Sequence, residues 1–520
     1  MDFVLALAPA GLMALAAIVA RLGPASVARA WRWFNGLNLA ALGCAAVGLA
    51  WQLSVHFGGA ADPAPAGPWL AAGLFAGWVS LLVQFLGAAI GLYSARHLRG
   101  EPRQRVYIAA LAAVLAAVHM LLLANHWLVL IAAWAAIGQA MHALLCFYPD
   151  RPFAVLAAHK KKIADRAADG LLLLAAGLAW SAAGSGTLTD LWLHIATAPA
   201  APALAGSGVC LALAVIARTA LMPVHGWLVQ VMEAPTPVSA LLHAGVVNLG
   251  GYVLVLFAPL LGVSPAACWL LVGFGLVSAV VAGLVLLTRV SQKVHLAWST
   301  IAQMGFMLLE CGLGLYLFAA LHLLGHSLYK AHHFLNASSR VRASSCQQML
   351  GAVSHSGRSM LWAVPASLAV VFGLQAAWGD PVWPWWWCAL LALAWAPLLW
   401  VPAAGRPGGF AWRALGMVVF LTLAALCVDR APLGVGNDPL DAAGIVALAG
   451  MALLYAGMGL FLCRPRLVIG VRRWVYAGFY TDEGYTWWVL RLWPVAWAGA
   501  APPAAAARPV RNPVHSQPGY

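Results

Sequence analysis

Ala267-Cys-Trp-Leu-Leu-Val-Gly-Phe-Gly-Leu-Val-Ser-Ala-Val-Val-Ala-Gly-Leu-Val-Leu-Leu287 is a run of 21 residues without a charge. At about 1.5 Å of helical rise per residue it reaches roughly 30 Å, the thickness of a bilayer's hydrocarbon core. Its apolar residues are continuous and do not alternate, so a membrane β-strand is excluded. Runs of the same kind extend from it in both directions. Helices are expected near 3–20, 33–53, 69–93, 106–123, 127–147, 168–183, 205–224 and 237–261 on one side. On the other they are expected near 297–312, 316–337, 361–378, 383–402, 412–428 and 441–463. The chain is thus read as an all-α, polytopic transmembrane protein of about 13–15 spans. Residues 3–20 lack a basic stretch before them and a clear cleavage site, and are read as a retained helix rather than a leader.

Composition agrees: of 520 residues, 63% are hydrophobic and only 8% charged, against about 25% charged in a soluble domain. The net charge of +14 does not point to nucleic acid, because the bases fall in short loops and form no patch with interleaved aromatics. Every second loop holds them: Arg21, Arg29 and Arg32; Arg96, Arg99, Arg103 and Arg105; Arg151, Lys160, Lys161, Lys162 and Arg166. The set continues with Arg289 and Lys293, then Arg340, Arg342 and Arg358, then Arg406 and Arg413, then Arg464, Arg466, Arg472 and Arg473. The other loops carry Arg430 with Asp62, Asp190, Asp380, Asp429 and Asp438. By the positive-inside rule the N-terminus is expected outside and the C-terminus inside. Residues 466–494 mix bases with Trp474, Tyr476, Trp487, Trp488 and Trp493, the signature of an interfacial helix on the cytoplasmic surface or on a partner. Residues 498–520 are rich in Ala and Pro and are expected to be disordered. The nine cysteines are scattered without a C-x-x-C pair, so no metal site is assigned to this chain.

Ionisable residues within spans are costly in hydrocarbon and are functional candidates for that reason. His322, His326 and Lys330 recur every four residues, which sets them on one helix face about 6 Å apart. Both side-chain types can exchange a proton in such a setting, so the stripe is read as a relay. The competing reading is three residues that satisfy helix contacts, with Lys330 snorkelling. Arg218, His225 and Glu233 surround the break at Pro235 and Pro237. Arg218 needs a counter-charge, and Glu233 is the nearest acid in sequence; a structural ion pair is the alternative. His243 and Asn248 follow, where Gly245, Gly250 and Gly251 permit close helix approach; His243 could equally be a satisfied core histidine. Lys293, His295 and Glu310 form the last group, and Lys160 and Asp169 are secondary candidates. No P-loop, dinucleotide fingerprint or hydrolase motif stands where its chemistry could work, so the chain is not read as a catalyst by itself.

Four segments carry a family resemblance. Tyr93-Ser-Ala-Arg-His-Leu-Arg-Gly-Glu101, Met232-Glu-Ala-Pro-Thr-Pro-Val-Ser-Ala-Leu-Leu-His243, Lys293-x5-Ser-Thr-Ile-Ala-Gln-Met-Gly305 and His322-x3-His326-x3-Lys330 resemble the antiporter-like subunits of respiratory complex I, Mrp antiporters and membrane hydrogenases. Within that superfamily, His243-Ala-Gly-Val-Val-Asn248, Phe147-Tyr-Pro-Asp-Arg-Pro152 and Tyr476-Ala-Gly-Phe-Tyr-Thr-Asp-Glu483 look most like the DabB branch. The resemblance implies two inverted five-helix repeats with broken helices, at 106–261 and 267–402. Helices within 1–105 precede them, and spans within 412–463 follow. It also implies a bacterial inner-membrane location, a proton pathway through Lys330, His326, His322, Lys293 and His243, and a large cytoplasmic DabA-type partner that carries zinc. The pair would couple cation movement to conversion of CO2 into bicarbonate. The alternative is a subunit of a redox-driven proton pump or cation antiporter. The family commonly has Lys where Arg218 stands, and the complex I type has Glu where Ala135 stands. In 361–378 no Lys is evident, although Pro365 could break that helix.

Overall fold

A computed structural model of the chain describes residues 2–23, 26–58, 67–199, 201–337, 357–379, 382–401, 407–464 and 466–494. Arg340, Arg342, Asp62, Asp380, Arg406 and the stretch 498–520 lie outside the described residues. In chain order the helices are α1 (Asp2–Leu22), α2 (Val27–Phe57), α3 (Leu74–His97), α4 (Gln104–Leu122), α5 (Trp127–Leu145), α6 (Pro152–Ala183) and α7 (Leu188–Thr197). Then come α8 (Pro202–Arg218), α9 (Gly226–Gln230), α10 (Thr236–Ala244), α11 (Leu249–Leu256), α12 (Ala258–Gly262), α13 (Pro265–Leu286), α14 (Gln292–Gly312) and α15 (Tyr316–Leu335). The rest are α16 (Gly357–Trp378), α17 (Trp385–Trp395), α18 (Pro407–Val428), α19 (Asp441–Cys463), α20 (Ile469–Tyr476) and α21 (Thr481–Leu492).

Among the described residues, nine helices are long and apolar enough to cross a membrane, taking α10 to α11 as one, and three shorter apolar helices accompany them. Three further helices, α6, α14 and α15, have 32, 21 and 20 residues but are interrupted by polar side chains. Those three carry most of the candidate site. The all-α, multi-pass architecture read from the sequence therefore stands.

Several boundaries differ from the sequence expectation. The basic stretch 151–166 is not a loop: α6 begins at Pro152 and runs through it. Pro is favoured at a helix's first position, and the Ala- and Lys-rich sequence that follows has high helix propensity. Its charges survive burial because they are paired, Lys161 with Asp165 at 2.5 Å one turn on. The apolar run 237–261 is divided: α10 ends at Ala244, a 3-10 turn spans 246–248, and α11 and α12 follow. Pro365, by contrast, sits inside a continuous α16. The amphipathic α7 was not expected from hydropathy, because it is short and does not cross.

Two features seat the polar helices. Helices α13 and α14 meet backbone to backbone: a Cβ on Gly305 would lie 2.7 Å from Ala279 N, and one on Gly275 2.7 Å from Gly305 O. Such small-residue contact replaces the hydrophobic effect, which lipid does not supply between helices. The second feature is the C-terminal segment 466–494, which the sequence offered to the membrane surface or to a partner. Trp474 and Tyr476 of α20, Trp487 and Trp488 of α21, and Trp493 just past it are exposed, but Val475 and Val489 are buried against the rest of the chain. The fully buried Lys160 ammonium meets the Asp482 carboxylate and donates to Thr486 Oγ1 at 2.8 Å, and Gln230 Nε2 donates to Asp482 Oδ2 at 3.0 Å. Burial, with Asp482 and Asp165 nearby, holds the Tyr485 phenol well above its ordinary range.

Lys160→Met should therefore loosen α20 and α21. Since Asp482 is a quarter exposed, the expected cost is about 3 kcal/mol, the lower end for breaking a buried pair. Trypsin cleavage at Arg472 and Arg491 in detergent-solubilised protein should accelerate with it. Unchanged cleavage and thermal midpoint would show that Val475 and Val489 hold the segment without the ion pair.

Candidate proton-transfer site

The broken helix sets the geometry. At Gly245 the backbone turns to φ −125° and ψ −71°, outside the helical range, and the interruption frees carbonyls that lipid cannot satisfy. Asn248 Nδ2 donates to one of them, Ala244 O, at 3.0 Å and also to Ser327 Oγ on α15 at 2.7 Å. The neighbouring glycines do serve helix approach: a Cβ on Gly250 would overlap Thr219, just past the end of α8, and one on Gly251 would overlap Met307 of α14. Gly245 itself serves the break.

Against this break α15 sets its stripe. Lys330 is fully buried, and its Nζ donates to Ser299 Oγ at 2.8 Å and Leu296 O at 3.0 Å, both on α14. His326 is buried beside the His243 main chain, and its ring has no side-chain hydrogen-bond partner among the described residues. Its ring centroid lies 5.9 Å from that of His322. His322 Nδ1 meets Glu310 Oε2 at 2.8 Å, and Nε2 meets Gln303 Oε1 at 2.9 Å. His243, from α10, is fully buried, stacks on Phe334 at 4.5 Å, and pairs through Nδ1 with Thr300 Oγ1 at 3.0 Å. Lys330, His326, His322 and Glu310, all able to carry a proton, thus line up along α14 and α15, with His243 and Asn248 beside them. His225 approaches α14 from the end of the α8–α9 turn, its ring centroid 5.0 Å from that of Trp298.

Three expected members stand elsewhere. Lys293 is half-buried in the first turn of α14, within electrostatic range of Glu233 and Arg151 rather than on the stripe. Glu233 is not the counter-charge of Arg218: its side chain is 48% exposed and lies 3.9 Å from Arg151. Arg218 pairs with Asp169 of α6, donates to Trp134 O at 2.9 Å, and lies over the Trp134 ring at 4.7 Å. Arg166 adds a second bridge to Asp169 at 3.0 Å. Sequence distance misled here, since α6 and α8 pack side by side although Asp169 and Arg218 are 49 residues apart. Lys161 and Asp165 were missed altogether because they read as loop residues. The four-residue spacing of opposite charges was the signal that could have placed them on a helix.

Residues 124–396 match the model of the NADH:quinone oxidoreductase/Mrp antiporter transmembrane family. A Hydrogenovibrio crunogenus protein named a probable inorganic carbon transporter subunit DabB is 40% identical over 426 residues, 79% of this chain and 81% of that one. The chain belongs to the DabB branch of the antiporter-like membrane subunits. NADH-quinone oxidoreductase subunit L of Mycobacterium tuberculosis is 32% identical over 52% of this chain and 43% of that protein. The structure of an Mrp complex from Dietzia shares the fold, with a TM-score of 0.55 and 24% identity over 93% of this chain and 52% of that one. The DabB-branch chain is thus a multi-pass, antiporter-like membrane subunit whose relatives work within larger complexes. Beside Trp134, Ala135 offers no carboxylate, and the acid that meets the cation of α8 comes from α6 as Asp169.

Asp169→Ala should strand the Arg218 guanidinium and lower the thermal midpoint and the yield of folded protein. Glu233→Gln should change stability by no more than about 0.5 kcal/mol, as at an ordinary surface position. Equal losses from the two substitutions would restore Glu233 as the partner.

Proposed function

We propose that this chain translocates protons across a bacterial inner membrane and thereby energises inorganic-carbon accumulation, the vectorial hydration of CO2 to bicarbonate by a large cytoplasmic zinc-bearing DabA-type partner. The observation that carries the proposal is the Lys330–His326–His322–Glu310 chain in a subunit of the DabB branch. The N-terminus is periplasmic and the C-terminus cytoplasmic, as the distribution of Lys and Arg requires. Two inverted repeats, 106–261 and 267–402, would place the break at Gly245 near the midplane, where such folds hold their ions.

The chemistry follows from the partners. Lys330 faces two neutral oxygens, Ser299 Oγ and Leu296 O, so it can lose its proton without stranding a carboxylate. The His326 ring has no side-chain partner among the described residues, so bridging water would let it accept a proton on one nitrogen and release one from the other. His322 and Glu310 share a hydrogen bond, so a positive charge that reaches His322 meets a carboxylate. Arg218 keeps its proton and acts as a fixed charge held by Asp169. Lys293, Glu233 and Lys160 lie beside the cytoplasmic loops and serve that end. The 32% identity to subunit L favours a second reading, a proton-pumping or cation-antiporter subunit of a redox-driven complex.

Two experiments test the proposal. Co-expression with the partner should restore growth in air to a bacterium lacking carbonic anhydrase, whereas either protein alone should not; rescue by this chain alone would put the chemistry in the wrong protein. Lys330→Ala, Lys330→Met and Lys330→Arg should all assemble and all abolish coupled uptake, because none can bind and release a proton at that position. Normal uptake by the Arg variant would leave Lys330 a structural cation.

A further inference from the structure

We propose that the space enclosed by the start of α3, the α4–α5 turn, α7 and the end of α11 is a water-filled vestibule, from which Tyr252 and Asn248 continue the proton route to His326. The proposal rests on the translocation reading above and adds its outer half. The cavity measures about 460 Å³, room for on the order of ten waters. Its rim is polar and braced. Thr189, at the exposed start of α7, donates to Asn125 Oδ1 at 2.9 Å, Leu188 N donates to Asn125 O at 2.7 Å, and Asn125 N donates to Trp69 O at 2.9 Å. These loops lie opposite the Arg-rich ones, so the rim faces the outer aqueous phase.

At the inner end stands Tyr252, 2% exposed, whose hydroxyl donates to Leu122 O at 2.8 Å. Asn248 lies four residues before it, on the same face and deeper. Asn248 Oδ1 is buried with no hydrogen-bond partner among the described residues, and so is Nε2 of His243, while the buried His326 ring, beside the His243 main chain, has no side-chain partner among them. Asn248 Nδ2 reaches Ser327 Oγ, the residue next to His326. Open polar atoms on α10, α15 and the turn before α11, elements that pack on one another, would each cost about 1–3 kcal/mol if dry. Bridging water removes that cost and joins Tyr252 to His326 in the same step. Trp192, Leu256 and Pro259 on the walls are apolar, so a lipid tail is the competing occupant.

Single cysteines at Thr189, Val255 and Val277 in the assembled complex separate the two. Val255 lines the cavity, and Val277 is on the outer surface of α13. A charged, membrane-impermeant methanethiosulfonate added to the outer side should modify Thr189→Cys and Val255→Cys more than about ten-fold faster than Val277→Cys, since only a wetted thiol ionises to react. Modification at Val255→Cys should block transport. Asn248→Leu should reduce transport about ten-fold, the equivalent of one lost hydrogen bond, and leave Val255→Cys labelling intact. An unreactive Val255→Cys means a dry or lipid-filled space and overturns the vestibule. Labelling with full transport in Asn248→Leu, or after modification, overturns the route. Labelling does not depend on which ion moves or what the partner does, so it stands or falls apart from the proposed function.

Discussion

A charge inside a bilayer must find a counter-charge or have a use, because hydrocarbon offers no other compensation. Four buried Lys and Arg side chains among the described residues obey that constraint in two ways. Lys160, Lys161 and Arg218 meet Asp482, Asp165 and Asp169, and each pair ties two parts of the chain or one helix turn together. Lys330 meets no carboxylate among the described residues: it donates to Ser299 Oγ and a main-chain carbonyl and lies 5.7 Å from the Tyr329 ring centroid. For the first three an ion pair explains the burial; for Lys330 no such pair does. Placing Lys330 there requires α14 to lie close to α13, which glycines at 275 and 305 allow, and α15 to face the break in the middle of the 236–256 segment.

The break itself is a second consequence of the same constraint. Irregular backbone at membrane depth is tolerated only where protein or water satisfies it. Asn248 does so for Ala244, and its own leftover acceptor then needs a partner. A helix interruption thus draws polar side chains towards it, and this is why His243, Asn248, Ser327 and His326 gather on facing sides of α10, α11 and α15.

Charge placement links the site to the C-terminal segment. Asp482 reaches α6 beside the Lys161–Asp165 pair, and α6 continues to Asp169 and Arg218. One helix therefore runs from the C-terminal segment to the buried Arg218, with an ion pair at each stage. The motif Tyr476–Glu483, noticed only as a likeness of sequence, has its physical explanation in Asp482: the acid that a buried lysine 322 residues away requires.

Hydropathy and charge distribution made the membrane class and the all-helical fold legible, because a bilayer imposes length and polarity on each helix separately. The stripe His322, His326 and Lys330 was legible for the same reason, since four-residue spacing is a property of one helix. Motif likeness added the family. The sequence did not reveal that Arg218 belongs to Asp169 rather than Glu233, that Lys160 belongs to Asp482, or that Glu310 belongs to His322. Each is a contact between helices, and its energy depends on distances that only packing sets. The paired charges of 151–166 were mistaken for a loop because charge alone is cheapest in water; tertiary structure brought Trp227 and Asp482 to cover them, and so made a helix the lower-energy state.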